Sequence, residues 1–152
     1  HPNGIPGKLF ELMRGSEKIL PYLDIPIQHI SAEVLRSMNR PWNTDVIKAL
    51  IDRARKEVPG IVLRTTVMVG YPTETEKAFQ ELLDFVETAE IDRVGVFSYS
   101  PEEGTEAFAL GDPTSHELKR QRVALIEDAH SRFLEKRNRS KIGQIQKAIV
   151  EG

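Results

Sequence analysis

No cysteine occurs anywhere in the 152 residues, which excludes disulfides, thiolate catalysis and any cysteine-ligated zinc or iron-sulfur site built from this chain alone. Histidine is scarce as well. His1, His29, His116 and His130 lie far apart, without the i, i+4 spacing of a helical metal site, so no metal function is expected of them. No apolar run approaches the length of a membrane span and no signal-peptide pattern is present, so the chain reads as soluble and not as a membrane partner. Charge of one sign is also lacking: 21 Lys plus Arg against 23 Asp plus Glu leave a net charge of −2, which predicts no strong general affinity for nucleic acid. The length suffices for one core of ordinary size. The chain opens on His and closes within what reads as a new strand, so both ends are expected to be cut points in a longer protein.

What is present is an alternation of strand and helix. Leu9, Phe10, Leu12 and Met13 predict a short helix capped by Gly15. Tyr22 to Gln28 predicts a strand, with Pro26 removing one ladder hydrogen bond. Ser31 is placed to cap a brief helix carrying Val34, Leu35 and Met38. A second helix is expected from Asn43 or Thr44 to Glu57, with Val46, Ile47, Leu50, Ile51 and Ala54 as its stripe and Pro59-Gly60 as its stop. Ile61 to Val69 is nearly continuous in apolarity, as in strands buried on both faces. After Gly70-Tyr71-Pro72, the Thr73-Glu74-Thr75-Glu76 segment offers a capping box into a helix with Phe79, Leu82, Leu83, Phe85 and Val86. Asp92 to Tyr99 predicts another strand. A long helix from Ser115 to Arg139 carries Leu118, Val123, Leu125, Ile126, Ala129 and Phe133, and Ile145 to Val150 predicts a further strand. Crossovers of this length predict an α/β fold with a parallel sheet.

In such folds the working residues sit where strands end and loops begin, which singles out three junctions. At the first, Gln28 and His29 are able to hydrogen-bond ribose hydroxyls or a carboxylate, or merely to satisfy backbone groups at the turn. At the second, Gly70 allows close approach of backbone to a ligand, although a Gly-x-Pro turn before a capped helix is also ordinary architecture. Arg64, inside an apolar strand, is expected to face a barrel interior and meet a ligand carboxylate or an internal acid such as Asp24. At the third, Tyr99 is suited either to stack on a purine or to fill the barrel mouth as core. The basic run from Arg132 to Lys141 reads as a solvated helix face.

Taken in order, three segments resemble the methylthiotransferase branch of radical-SAM enzymes: Tyr22 to His29, Val34 to Pro41, and Leu63 to Glu76. Asp92 to Thr105 is similar to the same family's next strand and loop. The Asp24-Ile25-Pro26-Ile27-Gln28-His29 form of the first segment is similar to the members that modify an aspartate of a ribosomal protein. The tRNA-modifying members usually show a Leu-Pro-x-Gln-Ser-Gly type there. Thr73 departs from the glycine that the family more often carries.

The resemblance implies that residues 1–140 are the C-terminal half of a partial, TIM-like (β/α) barrel and that 141–152 begin a TRAM-type β-barrel domain. It implies S-adenosylmethionine and two [4Fe-4S] clusters as cofactors of a cytoplasmic parent enzyme. The cysteines of both clusters would lie outside this chain. It also implies a small-subunit ribosomal protein as partner, with hydrogen abstraction from an aspartate β-carbon and insertion of a methylthio group, or, in the alternative, a tRNA adenosine as substrate. By motif position, Gln28 and His29 would border the ribose or substrate, Arg64 the methionine carboxylate, and Gly70 with Tyr99 the adenosine. The chain alone is expected to be inactive, and edge strands exposed in a half-barrel predict self-association as a homodimer or domain swap.

Overall fold

A computed structural model of the protein describes residues 5–145. In chain order these form α1 (Leu9–Gly15), β1 (Tyr22–Asp24), α2 (Ala32–Ser37), α3 (Thr44–Glu57), β2 (Val62–Val69), α4 (Glu76–Thr88), β3 (Arg93–Ser98), a 3-10 helix (Glu106–Leu110) and α5 (His116–Ser140). The strands make one all-parallel sheet in the order β1-β2-β3. This is a mixed α/β arrangement consistent with part of a radical-SAM type of barrel. The strand predicted for Ile145 to Val150 lies, from Gln146 onward, outside the described residues.

Along β2, Leu63, Thr65, Val67 and Val69 are buried, Val62, Thr66 and Met68 are half-buried, and Arg64 is exposed. This alternation corrects the expectation of a strand buried on both faces: the helices cover one face only. On that face Leu63, Val67 and Val69 share a core with Phe10, Ile47, Ile51, Ala54, Leu82, Phe85, Ile126 and Ala129. The parallel register sets Arg64 beside Asp24 and Arg93, and Met68 beside Phe97, on the open face.

β1 ends at Asp24, four residues short of the predicted strand, and the reason lies in Pro26. Asp24 pairs with Arg64 and Gln28 with Val67, so four residues on one side oppose three on the other, the signature of a bulge. Thr65 fills the gap, donating its hydroxyl to Ile25 O (2.8 Å) and accepting from Ile27 N–H (3.3 Å). Pairing resumes at Gln28, whose N–H reaches Thr66 O and whose carbonyl accepts from Met68 N–H. Gln28 completes the bend at φ +69°, a left-handed conformation that costs a non-glycine residue free energy.

The helix ends obey local chemistry with some departures. Asn43 caps α3 through Val46 N–H and Ser115 caps α5 through Leu118 N–H. Thr75 caps α4 through Ala78 N–H, a single-sided cap in place of the predicted box, because with Thr75 as N-cap the third helical residue is Ala78, which has no carboxylate to reach back. Ser31 occupies the N-cap position of α2 without a side-chain cap bond. Gly15 is the last helical residue of α1 and not its left-handed cap. Val46 and Leu125 are exposed and drop out of their predicted stripes. α2 stops in a Schellman motif: Asn39 at φ +54° donates to Arg36 O and Arg40 N–H reaches back to Leu35 O.

Candidate functional site

The loops leaving the C-terminal ends of the three parallel strands converge on one cleft of about 380 Å³, within the range of small-ligand sites. Gln28 follows β1, Met68 and Tyr71 come from β2 and its loop, and Tyr99 and Ser100 follow β3. Met38 and Arg40, presented by the Schellman turn, close one side, and the segment running into the 3-10 helix closes another. Tyr71 and Tyr99 meet edge to face, with centroids 5.3 Å apart and planes at 74°. The Tyr71 hydroxyl donates to Ser37 O (3.1 Å) and the Tyr99 hydroxyl to Ala107 O (2.9 Å), so both rings are fixed from behind. Burial, followed by the neighbouring Tyr71 and Asp112, raises the Tyr99 phenol above its usual range and keeps it protonated.

Beneath this cleft lies a buried polar network. His29 is fully enclosed; its Nδ1 accepts from Ser31 N–H (3.0 Å). A neutral ring therefore carries its proton on Nε2, which donates to Glu74 Oε2 (3.1 Å). Glu74 Oε1 accepts from Gly70 N–H (2.9 Å) and from the Arg122 guanidinium (2.5 Å). Arg122 also reaches Glu76 Oε2 (2.9 Å) and lies over the Phe79 ring at 4.9 Å. Gly70 has φ +73°, and a Cβ there would sit 2.6 Å from Lys119 Cγ. Lys119 is itself buried: its Nζ donates to Tyr99 O (2.8 Å) and to Asp112 Oδ1 (2.5 Å), 5.5 Å from the centre of the Tyr99 ring.

The five sequence-predicted residues thus fare differently. Gln28 and Tyr99 line the cleft directly. His29 has both ring nitrogens engaged and no exposed surface, so it supports the cleft without touching its contents. Gly70 borders the cleft through Tyr71, but the close approach it permits is that of Lys119 and not of a ligand. Arg64 is elsewhere. It stands on the open face near the start of β2, four residues or about 13 Å of strand before Met68. There it pairs with Asp24 at 3.5 Å, and the Tyr22 hydroxyl and the Asp24 carboxylate together raise its pKa. Side chains that sequence reading missed are Tyr71, Arg40, Glu74, Lys119 and Arg122. The last two sit at i and i+3 on a helix that otherwise looks amphipathic, and their only signal was their place on its apolar side.

A larger depression of 810 Å³ lies at the opposite, N-terminal ends of the strands, near Ile61 and Asp92. Its arginines already have partners, Arg137 with Asp92, Arg132 with Glu87, and Arg55 with the carbonyls of Ala89 and Glu90. Ligands of parallel α/β sheets bind at the carboxyl ends, so this depression is not the candidate. Among the described residues no group of three His, Cys, Asp or Glu is placed to hold a metal ion, and the chain has no cysteine, so its residues do not fit an iron-sulfur cluster. No helix of the described residues is long and apolar enough to cross a membrane.

The family model described as Radical SAM superfamily matches residues 1–86, more than half of the chain. The ribosomal protein uS12 methylthiotransferase RimO of Thermosynechococcus vestitus is 44% identical over 151 residues, covering 99% of this chain and 34% of that protein. RimO of Trichlorobacter lovleyi is 47% identical and that of Geobacter sulfurreducens 45% identical, each over 152 residues, 100% of this chain and 34% of the relative. The chain spans about a third of the length of the curated relatives it matches. With a parallel α/β sheet, a cleft at its carboxyl edge and a superfamily model matching most of β1 to α4, the chain belongs to the Radical SAM superfamily.

Proposed function

We propose that the chain is part of a cytoplasmic methylthiotransferase that modifies an aspartate β-carbon in a small-subunit ribosomal protein, and that the cleft at the carboxyl edge of the sheet receives the nucleoside part of S-adenosylmethionine. The observation that carries the reading is similarity to RimO proteins across the whole chain at 44–47% identity. The cleft suits the ligand chemically. The Tyr71 and Tyr99 rings and Met68 offer an apolar, aromatic wall for a purine, and the Gln28 amide both donates and accepts toward ribose hydroxyls.

When bound, S-adenosylmethionine supplies the radical chemistry, and the residues of this chain bind it, orient it and exclude water. Gln28, held by the bulge, keeps its amide at the strand end. Tyr99 stays protonated and anchored through Ala107, so its ring is a fixed wall. Cluster ligands come from outside these residues, and the chain alone is inactive.

Calorimetric titration of S-adenosylmethionine into the cluster-loaded full-length enzyme, with Gln28→Ala and Tyr99→Ala variants beside it, tests the site. Saturable binding that weakens in both variants is expected; wild-type affinity in both would sink it. Mass spectrometry of the ribosomal protein and of tRNA after reaction tests the substrate. A mass gain confined to tRNA would replace the ribosomal-protein reading with that of a tRNA methylthiotransferase.

A further inference from the structure

We infer that Lys119 and Arg122, two buried cations one turn apart on α5, are positioning residues of the cleft: together they hold all three strand-end loops in place. The inference rests on the cleft being the cofactor site. It assigns a role to a helix that lies beyond the residues 1–86 matched by the family model.

Lys119 pins the wall that follows β3. The chain leaves the sheet at Tyr99, runs through Ser100, Glu102, Thr105 and the 3-10 helix, and returns at Asp112 before α5. Its excursion lines one side of the cleft, and on its own it would be a loop with few buried contacts, since Phe108 and Leu110 are exposed. One ammonium bonds both of its ends, Tyr99 O at 2.8 Å and Asp112 Oδ1 at 2.5 Å. With Nζ so placed, the aliphatic stem of Lys119 lies against Gly70 at a separation that no side chain there would tolerate, and this seats the second loop against the same residue.

Arg122 acts through Glu74. The carboxylate collects Gly70 N–H from the loop after β2 and His29 Nε2–H from the loop after β1, and the Arg122 guanidinium neutralises it. Without that cation a charge with 0% side-chain exposure would be left unpaired, and both loops would lose their common anchor. Burying an ammonium and a guanidinium is costly, and neither is needed to cover apolar surface that Leu or Met would cover at lower cost. What the cations add is directionality, since each bonds specific backbone or carboxylate atoms at the rim of the cleft.

The test compares Lys119→Met and Asp112→Asn with Ile126→Val, a core change in the same helix that serves as a control for general destabilisation. Asp112→Asn leaves the packing intact, should Lys119→Met fail to fold. Two readouts are taken on the cluster-loaded full-length enzyme: amide hydrogen exchange at Gly70, Tyr99 and Phe108, whose N–H groups are bonded to Glu74, Val69 O and Thr105 O, and affinity for S-adenosylmethionine. In the Lys119 and Asp112 variants those amides are expected to exchange at least ~10-fold faster relative to β2 amides such as Val67, and affinity to fall roughly tenfold from misplacement of the walls. In Ile126→Val, exchange changes evenly and affinity holds. Wild-type protection of the rim amides, or loosening no greater than in Ile126→Val, would overturn the positioning role. Selective loosening with unchanged affinity would instead remove the cleft as cofactor site, while leaving Lys119 as the residue that orders the loop.

Discussion

Replacing Glu74 by glutamine removes one charge and almost no volume, and the structure gives the cost. The carboxylate accepts at Oε1 from Gly70 N–H and Arg122, and at Oε2 from His29 Nε2–H. An amide has one oxygen. If that oxygen stays with Gly70 and Arg122, the new NH2 points at His29 Nε2–H. The imidazole is unable to shift its proton because Nδ1 is committed to Ser31 N–H. If the amide turns over, its NH2 faces two donors in place of one. In either orientation donors oppose donors, and Arg122 loses its buried counter-charge, keeping, among the described residues, Glu76, whose side chain is 77% exposed. Breaking a buried pair in this way costs about 3–5 kcal/mol. For a domain of this size that is a fall in Tm of roughly 6–20 °C. Thermal unfolding followed by circular dichroism, with Glu76→Gln as a control expected to cost under about 1 kcal/mol, measures it directly. A Glu74→Gln protein that melts within ~3 °C of wild type would refute the reasoning, because it would mean that the network is not desolvated.

Gly70→Ala is expected to cost at least ~1–2 kcal/mol in urea unfolding, since φ +73° is unfavourable for alanine and its Cβ would displace the Lys119 stem; a loss below about 0.5 kcal/mol would contradict the close contact. Arg64→Ala is expected to leave affinity for S-adenosylmethionine unchanged, because Arg64 stands near the start of β2 on the open face; a clear weakening in calorimetry would return it to the site. His130 has its pKa lowered, mainly by burial, while its Nε2 lies 3.2 Å from Ile91 O. The unfolded chain therefore binds a proton more readily than the folded one, so stability from this group is full above the ordinary histidine pKa of about 6.5 and declines as pH falls through the lowered value. His130→Gln is expected to flatten the dependence of Tm on pH between pH 7.5 and 5, and an unchanged slope would place its cause elsewhere.

Local patterns were legible wherever one residue's own chemistry decides the outcome. Asn43 and Ser115 stood at the expected starts of their helices, the Thr73 to Glu76 segment announced α4 though not the form of its cap, and β-branched density announced β2. Gln28 and Tyr99 were legible as residues at the carboxyl end of the sheet, where the cleft lies, because strand-end position follows from element order. Arg64 was legible in part: of the two partners expected for it, a ligand carboxylate or Asp24, the structure shows Asp24, on the face of β2 that the helices leave uncovered. For His29 the sequence left two readings open, and the structure shows the backbone-satisfying one: Nδ1 accepts from Ser31 N–H, while Nε2 meets Glu74, a partner that no local pattern announces.

By itself the sequence determined the α/β order, the parallel sheet, the three junctions and the exclusion of any cysteine-ligated cluster from these residues, since each follows from periodicity, capping or composition within short windows. Only the tertiary structure decided that Pro26 makes a bulge plugged by Thr65, that Glu74 gathers the loops, and that Arg122 meets Glu74 across 48 residues of chain while Lys119 meets Tyr99 O across 20. The physical reason is that burying a charge is unfavourable unless specific partners meet it. Which partners meet is set by the crossing of α5 over the sheet, a relation among distant segments that no local pattern encodes.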